Sequence, residues 1–195
     1  MGRILKRGSA SVLGAFRKGV SAHGLILASA SPRRRQILKK LGRPFRVLPS
    51  HVSEKSAQKD PRKLVIELAR RKAGHMAKRH PEAWVLGADT IVVCKGEILG
   101  KPKDLKDSER ILRLLNGSLQ SVYTGVALAL DGGKTLLSQA AVTRVFTRKL
   151  DEPSLKRLIG KHMDKAGSYA IQDGKDPFVR KIDGPRDNVV GLPLS

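Results

Sequence analysis

The chain has 195 residues, 40% of them hydrophobic, which suffices for one domain with its own core and argues against wholesale disorder. Its single cysteine, Cys94, excludes an intrachain disulfide, and no apolar run reaches the roughly 18 residues of a membrane span, so we expect a soluble protein of a reducing compartment. The formal net charge of +22 indicates an anionic partner but does not choose among nucleic acid, nucleotides, phosphometabolites and membrane surfaces.

Residues 1–22 form a basic N-terminal segment, MGRILKRGSASVLGAFRKGVSA, with five basic residues, three serines and no acidic residue. This composition is typical of an organellar transit peptide and equally of an ordinary basic, poorly ordered extension, and both interpretations remain open. Without the segment the chain still carries 34 basic against 17 acidic residues, so the charge belongs to residues 23–195, which we expect to form one domain. The expected location is the cytoplasm, or an organelle such as the mitochondrion if the segment is a transit peptide.

From Gly24 onward, strand-like runs alternate with helical patterns, which predicts an α/β domain. The first strand is predicted at 25–29, and the first helix follows with Ser31 as its N-cap and Pro32 as its first residue. Further helices are predicted at 60–79, 107–115 and 152–159, and further strands at 84–93, in a hairpin over 122–147, and at 167–172 and 178–182.

Three arginines stand in the first turn of the predicted first helix. Cations there oppose the helix dipole and are disfavoured by some tenths of a kcal/mol each, whereas an anion is stabilised by the free backbone N–H groups. We therefore expect Arg33 and Arg34 to bind phosphate, while Arg35 is expected to point to water.

Two further positions break a hydrophobic pattern. At 100° per residue, Lys72 falls inside the apolar arc defined by Leu64, Leu68 and Met76, so its ammonium either extends outward or meets an anion in a cleft. Asp89 interrupts the apolar strand VLGADTIVV, which places it either at a bulge or turn or at a functional site. Periodicity alone leaves both pairs of alternatives open.

Seven segments, in this order, resemble the Maf family of nucleoside triphosphate pyrophosphatases. They are LILASASPRRRQIL, ELARRKA, VLGADTIVV with GEILGKPKD, VYTGVAL, DKAGSYAIQ and NVVGLPL, and they run from about Leu25 to Leu194. The resemblance implies an α/β fold like that of the inosine triphosphatases: a mixed, twisted sheet flanked by helices, with two lobes and a central cleft. It also implies hydrolysis of dTTP and UTP, and of modified pyrimidine triphosphates, to monophosphate and pyrophosphate.

The resemblance also assigns roles to individual residues. Asp89 is expected to be the catalytic base. The expected specificity positions are Arg33, Thr90 and Gln172. The triphosphate is expected to contact Arg33 together with Ser29, Arg34, Lys72 and Lys101. A divalent cation, Mg²⁺ or Mn²⁺, is implied as cofactor, with Glu54 and Asp89 as its expected ligands.

The chain departs from the family pattern at Lys161 and His162, where relatives usually have Glu-Pro, so a metal or loop role of that glutamate is not expected here. Homodimerisation is left open. The alternative function is a non-catalytic nucleic-acid-binding protein that uses the basic surface. Against it, the chain has one Trp, two Tyr and four Phe, and none lies within the basic runs as a stacking platform would.

Overall fold

The computed structural model describes residues 24–171 and 177–194. These residues form a mixed α/β fold, as predicted, around one seven-stranded sheet. The strands are β1 (Leu25–Leu27), β2 (Arg46–Val47), β3 (Trp84–Cys94), β4 (Glu97–Leu99), β5 (Leu119–Leu130), β6 (Lys134–Thr147) and β7 (Val179–Asp183). The helices are α1 (Pro32–Lys39), α2 (Pro61–Ala77), α3 (Leu105–Leu115), α4 (Glu152–Lys156) and α5 (Arg186–Val190).

The sheet is parallel at one side and antiparallel over the rest. Its strand order is β2-β1-β3-β5-β6-β7, and the short β4 pairs with the far end of β3. β1 runs parallel to both β2 and β3, whereas every pairing from β3 to β7 is antiparallel. The parallel part therefore consists of β1, β2 and the beginning of β3. The chain leads from β1 into α1 and from β2 into α2.

The two helices that flank the parallel strands begin at local capping signals. Ser31 Oγ accepts a hydrogen bond from Arg34 N at 3.4 Å, and Asp60 Oδ1 accepts one from Lys63 N at 3.0 Å. A proline opens each helix, where its missing N–H has no intrahelical partner to lose. Both helices begin where the sequence predicts. A cap can be predicted from sequence because it depends on only three or four consecutive residues.

Helix α2 packs with its backbone directly on the sheet, because two strands present glycine beneath it. A Cβ at Gly87 would lie 2.3 Å from Ala69 O, and a Cβ at Gly125 would lie 2.2 Å from Val65 O. Any larger residue would therefore push the helix away. This close approach places the next turn of α2, which carries Lys72, against the middle of β3.

Two of the four hydrophobic clusters among the described residues lie toward opposite ends of β3. One surrounds α3 and the far end of β3 and contains Val92, Leu99, Ile111, Leu115 and Phe178 among its buried members. The other surrounds α1 and the near ends of β1 and β3 and contains Leu25, Leu27, Leu38, Leu86 and Leu128. The two clusters correspond to the two lobes expected from the sequence.

The strand predicted at 167–172 is wrong over the part that the structure describes. Residues Ala166–Ser168 form a 3₁₀ turn, with Gly167 at φ 79° and Ser168 at φ 58°. These left-handed values are incompatible with a strand. The remaining predicted elements are present with bounds shifted by a few residues, and the predicted N-terminal extension lies outside the described residues.

No helix in the described part of the chain has the length and apolar character needed to cross a membrane.

Candidate active site

The sheet has an opening beside the middle of β3. On one edge of this strand, β1 pairs as far as Leu86 and β4 pairs from Val92 onward. Among the described residues, the stretch between them has a strand neighbour only on its other edge, where Asp89 is opposite Gly125 of β5. Asp89 and Thr90 lie in this opening, and because strand side chains alternate they point to opposite faces of the sheet.

Arg34 is fixed beside the opening by three hydrogen bonds. Its Nε donates to Gly191 O at 2.8 Å, Nη1 to Ser29 Oγ at 3.1 Å and Nη2 to Thr90 Oγ1 at 3.0 Å. Burial lowers the pKa of Arg34 below that of an ordinary arginine, and the charge of Asp89 opposes this shift. An arginine stays protonated at neutral pH, so the opening holds a rigidly oriented positive charge.

Lys72 bridges two carboxylates across the opening. Its Nζ lies 2.6 Å from Asp89 Oδ1 and 2.6 Å from Glu54 Oε1. Lys72 and Asp89 are 8% and 6% exposed, whereas the Glu54 side chain, on the loop after β2, is 57% exposed. A buried charge needs an oppositely charged partner within contact distance, because removing one partner of a buried ion pair costs about 3–5 kcal/mol of folding free energy.

The two carboxylates differ in acidity because they differ in burial. Burial raises the pKa of Asp89 above its ordinary value, although Lys72 and Arg34 oppose the shift. Burial alone would also raise the pKa of Glu54, but the hydrogen bond and charge of Lys72, with Lys101 beyond it, hold that pKa below its ordinary value. Asp89 is therefore the better proton acceptor of the two.

An ion pair joins the two sides of the cleft at its mouth. Arg33 Nη1, from α1, lies 2.8 Å from Asp164 Oδ2, and Lys165 Nζ lies 2.8 Å from Asp164 Oδ1. Burial alone would raise the pKa of Asp164, but its bonds to Lys165 and Arg33 lower it. The carboxylate of Asp164 thus compensates the charge of Arg33. A phosphate group that binds Arg33 would have to replace this carboxylate.

The charged side chains described above, apart from Asp89, border one cavity of about 380 Å³, a volume in the range of small-molecule sites. Its polar part is lined by cations, hydroxyls and one carboxylate that the sequence singled out: Ser29, Arg33, Arg34, Glu54, Lys72, Thr90 and Lys101. Its apolar part is lined by Val92, Val122, Tyr169, Ile171, Val189 and Val190. The cavity therefore offers cations for a polyanion and an apolar surface for a flat organic group.

The family model "Maf-like protein" matches residues 24–195, which include every element of the sheet and the cavity. The chain belongs to the Maf family. A relative from Elusimicrobium minutum named "dTTP/UTP pyrophosphatase" is 47% identical over 87% of this chain and 92% of its own length. A second protein of that name, from Pelotomaculum thermopropionicum, is 42% identical over 88% of this chain and 91% of its own.

A solved nucleoside triphosphatase (dITP/XTP pyrophosphatase) from Mycobacterium abscessus is more distant, with 10% identity and a TM-score of 0.42 over 65% of this chain and 75% of its own. A likeness of that size carries no argument about the cavity of this Maf protein.

One predicted site residue of the Maf protein, Asp89, lies behind the cavity wall rather than on it. Asp89 is not among the lining residues, because Lys72, which does line the cavity, covers its Oδ1. The second oxygen, Asp89 Oδ2, accepts no hydrogen bond from the residues that the structure describes. Gln172 lies outside the described residues.

A divalent cation fits the donor chemistry of this site. Glu54 and Asp89 both contact one ammonium, so their oxygens face a common cationic position. Mg²⁺ is typically held by one or two carboxylates together with water and substrate phosphates. Within the described ranges, no group of three or more His, Cys, Asp or Glu side chains gathers as a metal cluster, so protein ligands beyond these two carboxylates are not expected.

Sequence reasoning missed the polar chain behind Thr90. Thr90 Oγ1 lies 3.0 Å from Thr124 Oγ1, which donates to Asn188 O at 2.8 Å, and Asn188 Nδ2 donates to Val122 O at 3.1 Å. Thr124 and Asn188 are fully buried. The sequence offered one signal, namely that Thr124 and Asn188 are polar residues within apolar segments. Their hydrogen-bond partners are distant in the chain, so the sequence could not show which residues pair.

Proposed function

We propose that this Maf protein hydrolyses dTTP and UTP, and modified pyrimidine nucleoside triphosphates with them, to the monophosphate and pyrophosphate. One observation carries the proposal: Arg34, Lys72 and Lys101 converge on one cavity, and Lys72 joins that cavity to the buried carboxylate of Asp89 directly behind it. The two relatives named above, each of which aligns with most of this chain, support the same activity.

The cations bind the triphosphate. Arg34 is held with its guanidinium at the N-terminus of α1, where the backbone N–H groups add partial positive charge. Arg33, Lys72 and Lys101 add charge around the same space, and Ser29 adds a hydroxyl. Groups that are fixed before the reaction stabilise the charge that spreads over the phosphoryl oxygens without reorganising during the reaction.

Asp89 acts as the general base. A water molecule attacks the α-phosphorus while Asp89 Oδ2 takes its proton, the bond from the α-phosphorus to the bridging oxygen breaks, and pyrophosphate leaves with both electrons of that bond. Burial raises the pKa of Asp89, which makes it a stronger base than an exposed aspartate. Lys72 orients the carboxylate through Oδ1 and leaves Oδ2 for the water.

A divalent cation, Mg²⁺ or Mn²⁺, would bind Glu54 and Asp89 and supply positive charge to the phosphate oxygens. Arg33, Thr90 and Gln172 remain the proposed specificity positions. For Thr90 the contacts suggest how it acts: its hydroxyl accepts from Arg34, so a change there alters both the shape of the cavity and the direction of that guanidinium.

Homodimerisation and a cytoplasmic location, or an organellar one if residues 1–22 are a transit peptide, belong to the same proposal. Sedimentation of the purified protein and imaging of a tagged full chain test them separately.

The test is pyrophosphate release from dTTP, UTP, CTP, dATP, GTP and 7-methyl-GTP with Mg²⁺ or Mn²⁺. We expect preference for dTTP and UTP, and a loss of roughly 10²- to 10⁴-fold in kcat for Asp89→Asn. The matched control is Asp183→Asn, the same chemical change at an exposed position of β7. If no nucleotide is hydrolysed, the proposal fails, and salt-dependent binding to single and double strands would then favour the nucleic-acid-binding alternative.

A further inference from the structure

The loop that carries Glu54 contains no helix or strand of its own. It runs over residues 48–60, between the two-residue strand β2 and helix α2. Leu48 N donates to Leu27 O at 3.1 Å, which joins the beginning of the loop to β1. Glu54 lies six residues further on with its side chain largely exposed, so a single ion pair with Lys72 would leave its backbone position undetermined.

Arg71 holds the backbone on both sides of Glu54. Its Nη1 donates to Ser53 O at 2.6 Å and to Lys55 O at 2.9 Å, the two carbonyl groups that flank the glutamate. Hydrogen bonds from a charged donor are roughly twice as strong as neutral ones, and the planar guanidinium fixes their direction.

Glu67 fixes Arg71 in turn. Arg71 Nη2 lies 2.5 Å from Glu67 Oε1, one helical turn earlier, and Glu67 Oε2 accepts a hydrogen bond from Ser56 Oγ at 3.0 Å. Arg71 and Glu67 therefore form one unit on the flank of α2 that contacts the loop at residues 53, 55 and 56.

The geometry of the helix explains why consecutive residues can hold Glu54 in two ways. Side chains of adjacent helical residues point about 100° apart. Lys72 therefore points into the cleft and contacts the carboxylate, while Arg71 points over the loop and contacts its backbone.

We propose that Arg71, oriented by Glu67, is a positioning residue that sets the place of Glu54 in the reaction. The inference rests on the proposed role of Glu54 at the active site. Arg71 does not border the cavity, so it acts through the glutamate rather than on the nucleotide.

The variants are Arg71→Ala, Glu54→Gln, the double variant and a control, Arg70→Ala. Arg70 precedes Arg71 in α2, is exposed and makes no ion pair with the described residues, so its substitution removes the same charge from the same helix. For dTTP hydrolysis we expect Arg71→Ala to lower kcat/KM by roughly 10- to 100-fold, and Arg70→Ala to leave it unchanged. In the Glu54→Gln background, Arg71→Ala should add almost nothing, because the group it positions is already lost.

Equal losses from Arg71→Ala in both backgrounds, wild-type activity of Arg71→Ala, or wild-type activity of Glu54→Gln would each overturn the inference while leaving the hydrolytic function intact. Amide hydrogen exchange without nucleotide supplies a readout that does not depend on activity. We expect faster exchange at residues 53–57 in Arg71→Ala and no change in Arg70→Ala. Unchanged exchange in Arg71→Ala would overturn the inference even if no substrate were hydrolysed.

Discussion

Replacing Gly125 by alanine tests how closely helix α2 must approach the sheet. The added methyl group would lie 2.2 Å from Val65 O, 2.3 Å from Val65 C and 2.7 Å from Ile66 N. All three atoms belong to the helix backbone, so no side-chain rotation relieves the contact. The helix has to move away by roughly 1 Å before these atoms reach ordinary van der Waals separation.

The movement has a cost in stability and a cost in catalysis. Overpacking of a well-packed site costs about 1–3 kcal/mol, and because all three clashing atoms are helix backbone, we expect Gly125→Ala to cost about 3 kcal/mol. In a chain of this size that corresponds to a fall of about 6–12 °C in Tm. Lys72 belongs to the helix that moves, and Asp89 belongs to β3, which pairs with the strand that carries Gly125. A displacement of about 1 Å at the 2.6 Å contact between Lys72 Nζ and Asp89 Oδ1 can lower kcat/KM about 100-fold.

Thermal unfolding and pyrophosphate release from dTTP measure the two effects on one preparation. The control is Gly24→Ala, because a Cβ at Gly24 meets nothing within 4 Å, so both Tm and kcat/KM should remain at wild-type values. A Gly125→Ala protein with wild-type Tm and activity would refute the claim that close contact of α2 with the sheet positions Lys72.

Three further substitutions address other contacts. Asp164→Asn removes the carboxylate that pairs with Arg33, so the KM for dTTP should fall, and an unchanged KM would show that this ion pair does not compete with phosphate. Thr90→Val leaves a guanidinium nitrogen of Arg34 without its acceptor and should lower kcat/KM about tenfold; equal kinetics for the valine protein would contradict this. The third substitution is Asp107→Asn. The pKa of Asp107 is lowered mainly by a hydrogen bond from the backbone N–H of Lys103. The carboxylate therefore stabilises the folded state fully above its unfolded pKa near 3.9, and this contribution is lost as the pH falls through the folded pKa. Urea unfolding should therefore show Asp107→Asn to be less stable than wild type at neutral pH, with the difference vanishing in acid.

The structural features predicted most accurately are those that depend on residues close together in the chain. The starts of α1 and α2 follow from Ser31 and Asp60, each with a proline behind it, because the capping bond spans three residues. The prediction of a strand at 167–172 was wrong because Ser168 has a left-handed backbone, which a serine does not signal in the sequence. Its hydroxyl lies 2.7 Å from Ser108 Oγ of α3, a partner sixty residues away in the chain.

The candidate site was predicted as separate anomalies rather than as an arrangement. Lys72 in an apolar arc and Asp89 in an apolar strand were each ambiguous, and the structure joins them in one ion pair. Glu54 was found through the family resemblance alone, since nothing in its loop marks it. The opening in the sheet beside β3 depends on where β1 ends and β4 begins, which no local pattern encodes.

The bond from Arg34 to Gly191 joins residues 157 positions apart in the chain. A nucleotide that binds at Arg34 therefore binds only when distant parts of the sequence are already folded together, and it stabilises the whole fold rather than one loop. Thermodynamic linkage then predicts a gain of about 2.7 kcal/mol at a ligand concentration of 100 times Kd. The melting temperature of this protein can thus report nucleotide affinity directly, including that of variants too inactive for a kinetic assay.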